Sequence, residues 1–389
     1  MIALTANSLY TPLECIDRPV LLMEDGLIAD VYSASERPLP SNCRQVDFPG
    51  ATLAPGFLDI HIHGGSGYDV MDASPNALPG VERLLASHGV TGYFPTTVTS
   101  ALDKLLAALE RLASAIESSE ISATTSSDAP RARPLGIHLE GPFISQICRG
   151  VHPPQDILPP TLALFDRFWQ AARRHISIMT IAPELDGAAE VISEATRRGV
   201  CVSLGHSNAQ MEEAQSAVAA GARHATHTFN AMRPLNHRDP GIIGLVLTDS
   251  RLSADIIVDG IHLDPAIVKM FFELKGPDRA VLITDAISAT GMPDGRYRLG
   301  SFDVEVAAGK CTAGGKLAGS VLTMDRAVRN VMQFADIGLD LALRTATLNP
   351  ASVVGQSQRG RLAPGARADV VVLNSQQEVM RTIVGGQGL

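Results

Sequence analysis

From about residue 55 to residue 345 the chain alternates short apolar runs with amphipathic segments, and this alternation narrows the available folds more than any other feature. The apolar runs span residues 56–63, 92–99, 135–140, 176–182, 200–205, 224–228, 254–259 and 280–284. Between them lie helical patterns such as 101–118, 161–174, 210–220 and 265–274. Strands rich in Val and Ile, each followed by a helix, read as βαβ units of a parallel sheet. Eight such units predict an α/β protein built on a TIM-like (β/α)8 barrel.

The two ends follow a different rule. Residues 1–54 hold short β-like runs at 20–23, 27–31 and 44–48, with turn signals such as Glu24-Asp25-Gly26 between them. Residues 369–374 and 379–384 are again β-like and follow the turn Pro364-Gly365. Chain termini often lie close together, so 1–54 plus 358–389 are expected to form a small β-sandwich domain beside a catalytic barrel of 55–357. The Ser-, Thr- and Ala-rich tract 117–133 reads as a surface connection. With 34 Gly and 24 Pro in 389 residues, the chain stays well below the roughly 25–30% that marks low complexity.

Charge and targeting signals exclude several classes. A formal net charge of −9 argues against the broad basic surface that nucleic acid requires. It leaves room for a small anion, because two or three local cations suffice for one phosphate. No apolar run approaches 18 residues, so no membrane span is expected. Residues 1–14 have neither a basic n-region nor an apolar h-region, which points to a cytoplasmic product. Cys15, Cys43, Cys148, Cys201 and Cys311 are odd in number, widely spaced and free of CxxC pairs. They read as buried small hydrophobes in a reducing compartment.

In a barrel of this kind chemistry sits at the C-terminal ends of the strands. The first strand ends on His61 and His63, which point to one side because i and i+2 share a face. Glu140 ends the third, His206 the fifth, His227 the sixth and Asp285 the eighth, whereas His138 lies further from its strand's end. A lone strand-end His is more often structural, but imidazoles and carboxylates at five strand ends make a metal site. The donors suit zinc, iron or another divalent first-row metal. Such an ion lowers the pKa of its water toward ~7. Asp285 is positioned to take a proton and later return it to a leaving group, the alternative being a helix N-cap or a further ligand.

These residues resemble the amidohydrolase superfamily and, within it, the N-acetylglucosamine-6-phosphate deacetylase family. The resembling stretches are PGFLDIHIHGG (55–65), GIHLEGPF (136–143), RGVHPP (149–154), LGHSNA (204–209), THTFNAMRPLNHRDPG (226–241), DGIHLDP (259–265), LITDAISATG (282–291) and LAGS (317–320). They keep that family's order and cover nearly the whole chain. The resemblance implies that Glu140, His206 and His227 bind the principal metal, with His61 and His63 where some members hold a second ion. It implies Asp285 as catalytic acid/base and His152 as the group that hydrogen-bonds the substrate carbonyl and its oxyanion. Asn230 and Ala231 would contact sugar and phosphate, and Leu317, Ala318 and Gly319 the acetyl end. Val151 stands where relatives commonly have Ala, and Asn236-His237-Arg238 departs from the usual spelling of its loop; both touch the sugar pocket.

A phosphate site can also be argued from the residues. Arg238 offers a planar fork and His262 a second donor, the alternative for Arg238 being a surface ion pair with Asp239. In relatives some phosphate contacts come from a neighbouring subunit, which implies a homodimer. The resemblance therefore implies hydrolysis of the acetamide of N-acetylglucosamine 6-phosphate, with the galactosamine isomer as the near rival. Cyclic-amide hydrolases that use a carboxylated Lys fit less well, because none of the five Lys ends a strand in the cluster. A glycoside hydrolase would need Glu140 and Asp285 as its carboxylate pair, among histidines that mark Glu140 as a ligand. A non-catalytic scaffold would have lost ligands, and none is missing.

Overall fold

The computed structural model describes residues 1–121 and 129–389. Eight strands form the barrel: β1 (Phe57–Ile62), β2 (Val90–Thr97), β3 (Ile137–Glu140), β4 (Ile176–Ile181), β5 (Cys201–Leu204), β6 (His224–Ala225), β7 (Ala254–Ile257) and β8 (Ala280–Ile283). Each falls within one or two residues of an apolar run in the sequence, except that β6 is shorter. Parallel pairing carries β1 through β6 in order and joins β7 to β8. Thr228 N–H bonds the Asp255 carbonyl at 2.9 Å across β6 and β7, and Asp285 N–H bonds the His61 carbonyl at 3.0 Å across β8 and β1. The ring is closed.

A helix follows each strand: Ala77–Ser87, Leu102–Ile121, Leu162–Ala171, Ala188–Arg197, Met211–Ala220, Gly241–Thr248, Pro265–Lys275 and Met324–Ala335. Their starts follow local chemistry. Thr161 accepts the Leu164 N–H, and Asp264 accepts the Ala266 N–H ahead of Pro265. All residues of β1 and β2 are buried, as a sheet covered on both faces requires.

The terminal segments meet in one seven-stranded sheet that includes Ile2–Tyr10, Pro19–Glu24, Leu27–Ser33, Arg44–Pro55, Val370–Leu373 and Val379–Ile383. Its strands alternate between two apolar faces, with Leu4, Leu21 and Met23 on one and Ala3, Val20 and Leu22 on the other. Val371 and Leu373 pack into the barrel's core, while Val370 and Val372 join the sheet's own. Gly56 N–H bonds the Asp369 carbonyl where the sheet passes directly into β1.

Two expectations need correction, and one element was not foreseen. The tract 117–133 is not a connection throughout, because Leu102–Ile121 is helical; residues 122–128 lie outside the described residues. Of the five cysteines only Cys311 is buried, and Cys15 is exposed on the short strand Cys15–Asp17. After β8 comes a four-stranded antiparallel insert, Gly295–Leu299, Phe302–Ala307, Lys310–Ala313 and Lys316–Leu317, that the alternation did not suggest. Its Leu299, Val304 and Val306 pack with Val98, Ile287 and Ala318. Among the described residues no helix is long and apolar enough to cross a membrane.

Candidate active site

The C-terminal mouth of the barrel gathers His61, His63, Glu140, His152, His206, His227 and Asp285, all buried. His206, His227 and Asp285 leave β5, β6 and β8 on left-handed backbone, with φ of 47°, 30° and 48°. L-residues adopt this region at a cost and keep it where the surroundings enforce it, typically at functional sites. Each chain turns sharply as it leaves the sheet, so its side chain is directed back over the mouth.

The donors fall into two groups that share Glu140. In the first, His206 Nε2 and His227 Nε2 lie 3.1 Å apart, and Glu140 Oε1 is 3.2 Å and 3.0 Å from them. In the second, His61 Nε2 and His63 Nε2 are 3.2 Å apart, and Asp285 Oδ1 is 3.6 Å and 3.1 Å away. Glu140 Oε1 also lies 3.5 Å from His61, and Oε2 3.4 Å from His63.

The donor set fits a divalent ion. His206 Nδ1 bonds the Cys148 carbonyl at 3.0 Å, His227 Nδ1 the Asn230 carbonyl at 3.2 Å and His63 Nδ1 the Thr96 carbonyl at 3.0 Å. A carbonyl only accepts, so each Nδ1 carries a proton, and a ring that has lost its second proton turns a bare Nε2 lone pair to the centre. Lone pairs facing one another at 3.1 Å need a cation between them. Separations of 3.0–3.2 Å are near the ~3.3 Å edge of a tetrahedron with ~2.0–2.1 Å bonds. His61 Nδ1 is buried without a hydrogen-bond partner among the described residues.

The carboxylates also raise the proton affinity of His63 and His227. Burial opposes the charged form of His63, but the hydrogen bond to Asp285 and the Glu140 charge outweigh it and raise its pKa to about 9. His227 is likewise raised to about 9 against its burial, chiefly by Glu140. Burial also opposes ionisation of Asp285, yet the His63 hydrogen bond and the charges of His61 and His63 hold it at about 2. Glu140 is held well below the usual range by His61, His206 and His227, again against its burial.

Supporting groups come from neighbouring strands. Asp255, on β7, accepts the His227 N–H through Oδ1, and its Oδ2 lies 2.9 Å from His224 Nε2. Asp59 accepts the Thr284 hydroxyl at 2.5 Å and the His61 N–H at 3.3 Å, and burial raises its pKa to about 6. The sequence reading missed both. Asp59 sits two residues before His61 on the same face of β1, a signal that was available; nothing in the sequence ties Asp255 to His227. His138 stays apart, bonded to the Ile60 carbonyl at 2.9 Å and Thr180 Oγ1 at 2.8 Å.

The remaining candidates differ in what holds them. His152 Nδ1 meets Thr99, and its Nε2 is 3.6 Å from Glu140 Oε2. Val151 packs against the cluster formed by Val98, Ile287 and Ala318. Leu317 ends the insert, and Gly319 (φ 62°) sits against Ile287 and the Asp285 carbonyl, where a Cβ would clash. Ser320 N–H then bonds that carbonyl at 2.8 Å. Asn230 and Ala231 are half-buried beside His227, and the Ala231 carbonyl accepts the Ser207 N–H. His262 is tied through Nδ1 to Asp259 Oδ2 at 2.7 Å. Arg238 is exposed on the loop after β6, and its neighbour Asp239 pairs with Arg233 instead.

A TIM-like barrel with this mouth and a separate terminal sheet defines a class: the chain belongs to the amidohydrolase family, whose model matches residues 52–388. Within it, the chain is 36% identical over 386 residues to the N-acetylgalactosamine-6-phosphate deacetylase of Escherichia coli O157:H7, covering 99% of this chain and 98% of that one. It is 36% identical to the N-acetylglucosamine-6-phosphate deacetylase of Lysinibacillus sphaericus over 94% of this chain and 92% of that protein. A solved structure of a mutant N-acetyl-D-glucosamine-6-phosphate deacetylase from Mycobacterium smegmatis, in complex with N-acetyl-D-glucosamine-6-phosphate, superposes with a TM-score of 0.92. The two chains are 34% identical, and the match covers 100% of this chain and 98% of that one. Family and donor cluster together imply a divalent metal.

Proposed function

We propose that the chain hydrolyses the acetamide of N-acetylglucosamine 6-phosphate to glucosamine 6-phosphate and acetate. The observation that carries this reading is the pair of donor groups, His206 and His227 with Glu140 and His61 and His63 with Asp285, with Glu140 also 3.5 Å from His61 and His152 beside Glu140. Glu140, His206 and His227 would hold the principal divalent ion, and their nitrogen and oxygen donors suit zinc. His61 and His63, with Asp285, are the donors for a second. An ion held there supplies Lewis acidity, which polarises the acetyl carbonyl and acidifies water.

The chain's own groups divide the rest. Asp285, held at about 2, is ionised at neutral pH and accepts a proton from the attacking water. His152 donates a hydrogen bond to the carbonyl oxygen as negative charge develops there. Protonated Asp285 then gives its proton to the sugar nitrogen as the C–N bond breaks, so acetate and the free amine leave and the carboxylate is restored. Asn230, Ala231 and Val151 contact the sugar, and Leu317, Ala318 and Gly319 enclose the acetyl methyl. Arg238 and His262 take the phosphate. The Arg238 side chain, exposed and unpaired among the described residues, supports a homodimer in which it reaches a neighbouring site. A phosphorylated sugar does not cross membranes unaided, which supports a cytoplasmic enzyme.

The strong match to a relative named for the galactosamine isomer favours one second reading, N-acetylgalactosamine 6-phosphate as substrate. Acetate release measured across N-acetylhexosamines with and without the 6-phosphate, on protein of known metal content, decides between them. The expected result is fastest release from the glucosamine 6-phosphate derivative; release from no N-acetyl sugar phosphate sinks the reading.

A further inference from the structure

Strand β2 supplies no imidazole or carboxylate to the mouth, yet its chain runs on through Val98 to Thr99, which is fully buried against His152. The Thr99 backbone N–H donates to His152 Nδ1 at 3.2 Å, and Thr99 Oγ1 lies 2.8 Å from the same nitrogen. A backbone N–H can only donate, so Nδ1 is the accepting nitrogen and the ring is neutral with its proton on Nε2. The hydroxyl must then donate to Nδ1 as well.

Gly141, directly after Glu140, has φ +70°, and a Cβ added there would overlap Thr99 Oγ1, so glycine is what leaves room for the hydroxyl. The chain that leaves the shared carboxylate therefore passes close beside the residue that orients His152. The ring's Nε2 faces the cluster, where the carboxylate of Glu140 comes no nearer than 3.6 Å through Oε2.

We infer that Thr99 is a positioning residue of the hydrolysis, fixing His152 as the neutral Nε2–H tautomer so that a hydrogen-bond donor faces the acetyl oxygen. The inference rests on the amide-hydrolase reading above and refines it. With Nδ1 saturated, His152 lends a hydrogen bond and transfers no proton, so both proton transfers fall to Asp285. The opposite tautomer would turn a lone pair toward the developing oxyanion and repel it.

The test uses zinc-loaded, 15N-histidine-labelled protein. Long-range proton–nitrogen correlation distinguishes protonated from bare ring nitrogens, and His152→Gln assigns the signal. The expected spectrum has a bare Nδ1 and a protonated Nε2 in His152; a protonated Nδ1 overturns the inference. In kinetics, Thr99→Val keeps the N–H and removes the hydroxyl, and is expected to lower kcat about tenfold with KM nearly unchanged, within the ~10–100-fold range for groups that orient active-site histidines. Thr99→Ser restores kcat to about the wild-type value. Wild-type kcat in Thr99→Val refutes the positioning role. Should the wild type release no acetate from any substrate, the functional reading fails, while the spectrum still decides the tautomer.

Discussion

Asp255 touches no donor atom of the cluster, yet it fixes the His227 backbone on its left-handed turn and holds His224 with its other oxygen. Asp255→Asn is expected to weaken metal binding about 10–100-fold with the fold intact, as groups behind ligands typically do. Equilibrium dialysis against a zinc buffer measures it, and unchanged affinity contradicts the role. The protons on His63 and His227 give a second expectation. Both are raised to about 9 in the ion-free chain, so both are charged at pH 7, and an ion must displace those protons to bind. Metal uptake at pH 7 should therefore release about two protons, seen by calorimetry in buffers of different ionisation enthalpy, and affinity should climb as pH rises toward about 9. Ion uptake without proton release contradicts this assignment. At the phosphate end, Arg238→Ala should weaken phosphorylated substrate by roughly 10–100-fold while sparing the unphosphorylated sugar; equal losses on both refute its role. The histidines of 61–63 are legible in sequence because period two on a strand is a local rule. The Thr99–His152 and Asp255–His227 bonds are not, because they join residues 53 and 28 positions apart and depend on how neighbouring strands align.

At the level of elements, the eight strands were readable because most are short, apolar and buried on both faces. The insert at 295–317 was missed although Phe302–Ala307 alternates apolar and polar residues, a period-two signal that was available. Ile2–Tyr10 escaped because Ala, Asn and Ser interrupt its β-formers. Helix Met324–Ala335 carries a strap that no periodicity announces. Its Asp325 meets His88 Nδ1 at 3.1 Å and Arg329 at 3.2 Å, and Arg329 continues to the Gln377 carbonyl in the terminal sheet. Burial opposes ionisation of Asp325, but His88 and Arg329 outweigh it and hold the folded pKa at about 2. A carboxylate depressed in this way stabilises the fold above its unfolded value near ~4, and that contribution disappears as pH falls from about 4 toward 2. Asp325→Asn should therefore cost roughly 2 kcal/mol at neutral pH and little near pH 2. A denaturant series at several pH values checks it, and a loss independent of pH contradicts the electrostatic origin.

Across the whole molecule, the donors come from β1, β3, β5, β6 and β8, so a bound ion ties together strands spread around the barrel. A ligand that binds only the folded chain raises its stability in proportion to the logarithm of ligand concentration over Kd. Chelation should lower the Tm and abolish acetate release together, and zinc should restore both. A net charge of −9 is compatible with an anionic substrate if the proposed ion and Arg238 supply positive charge locally. The central claim is that Asp285 carries the proton. The direct measurement is acetate release from N-acetylglucosamine 6-phosphate by Asp285→Asn protein whose metal content equals that of the wild type. A proton-carrying Asp285 predicts a fall in kcat of about 10²–10⁴-fold; a rate equal to the wild type with metal retained contradicts it.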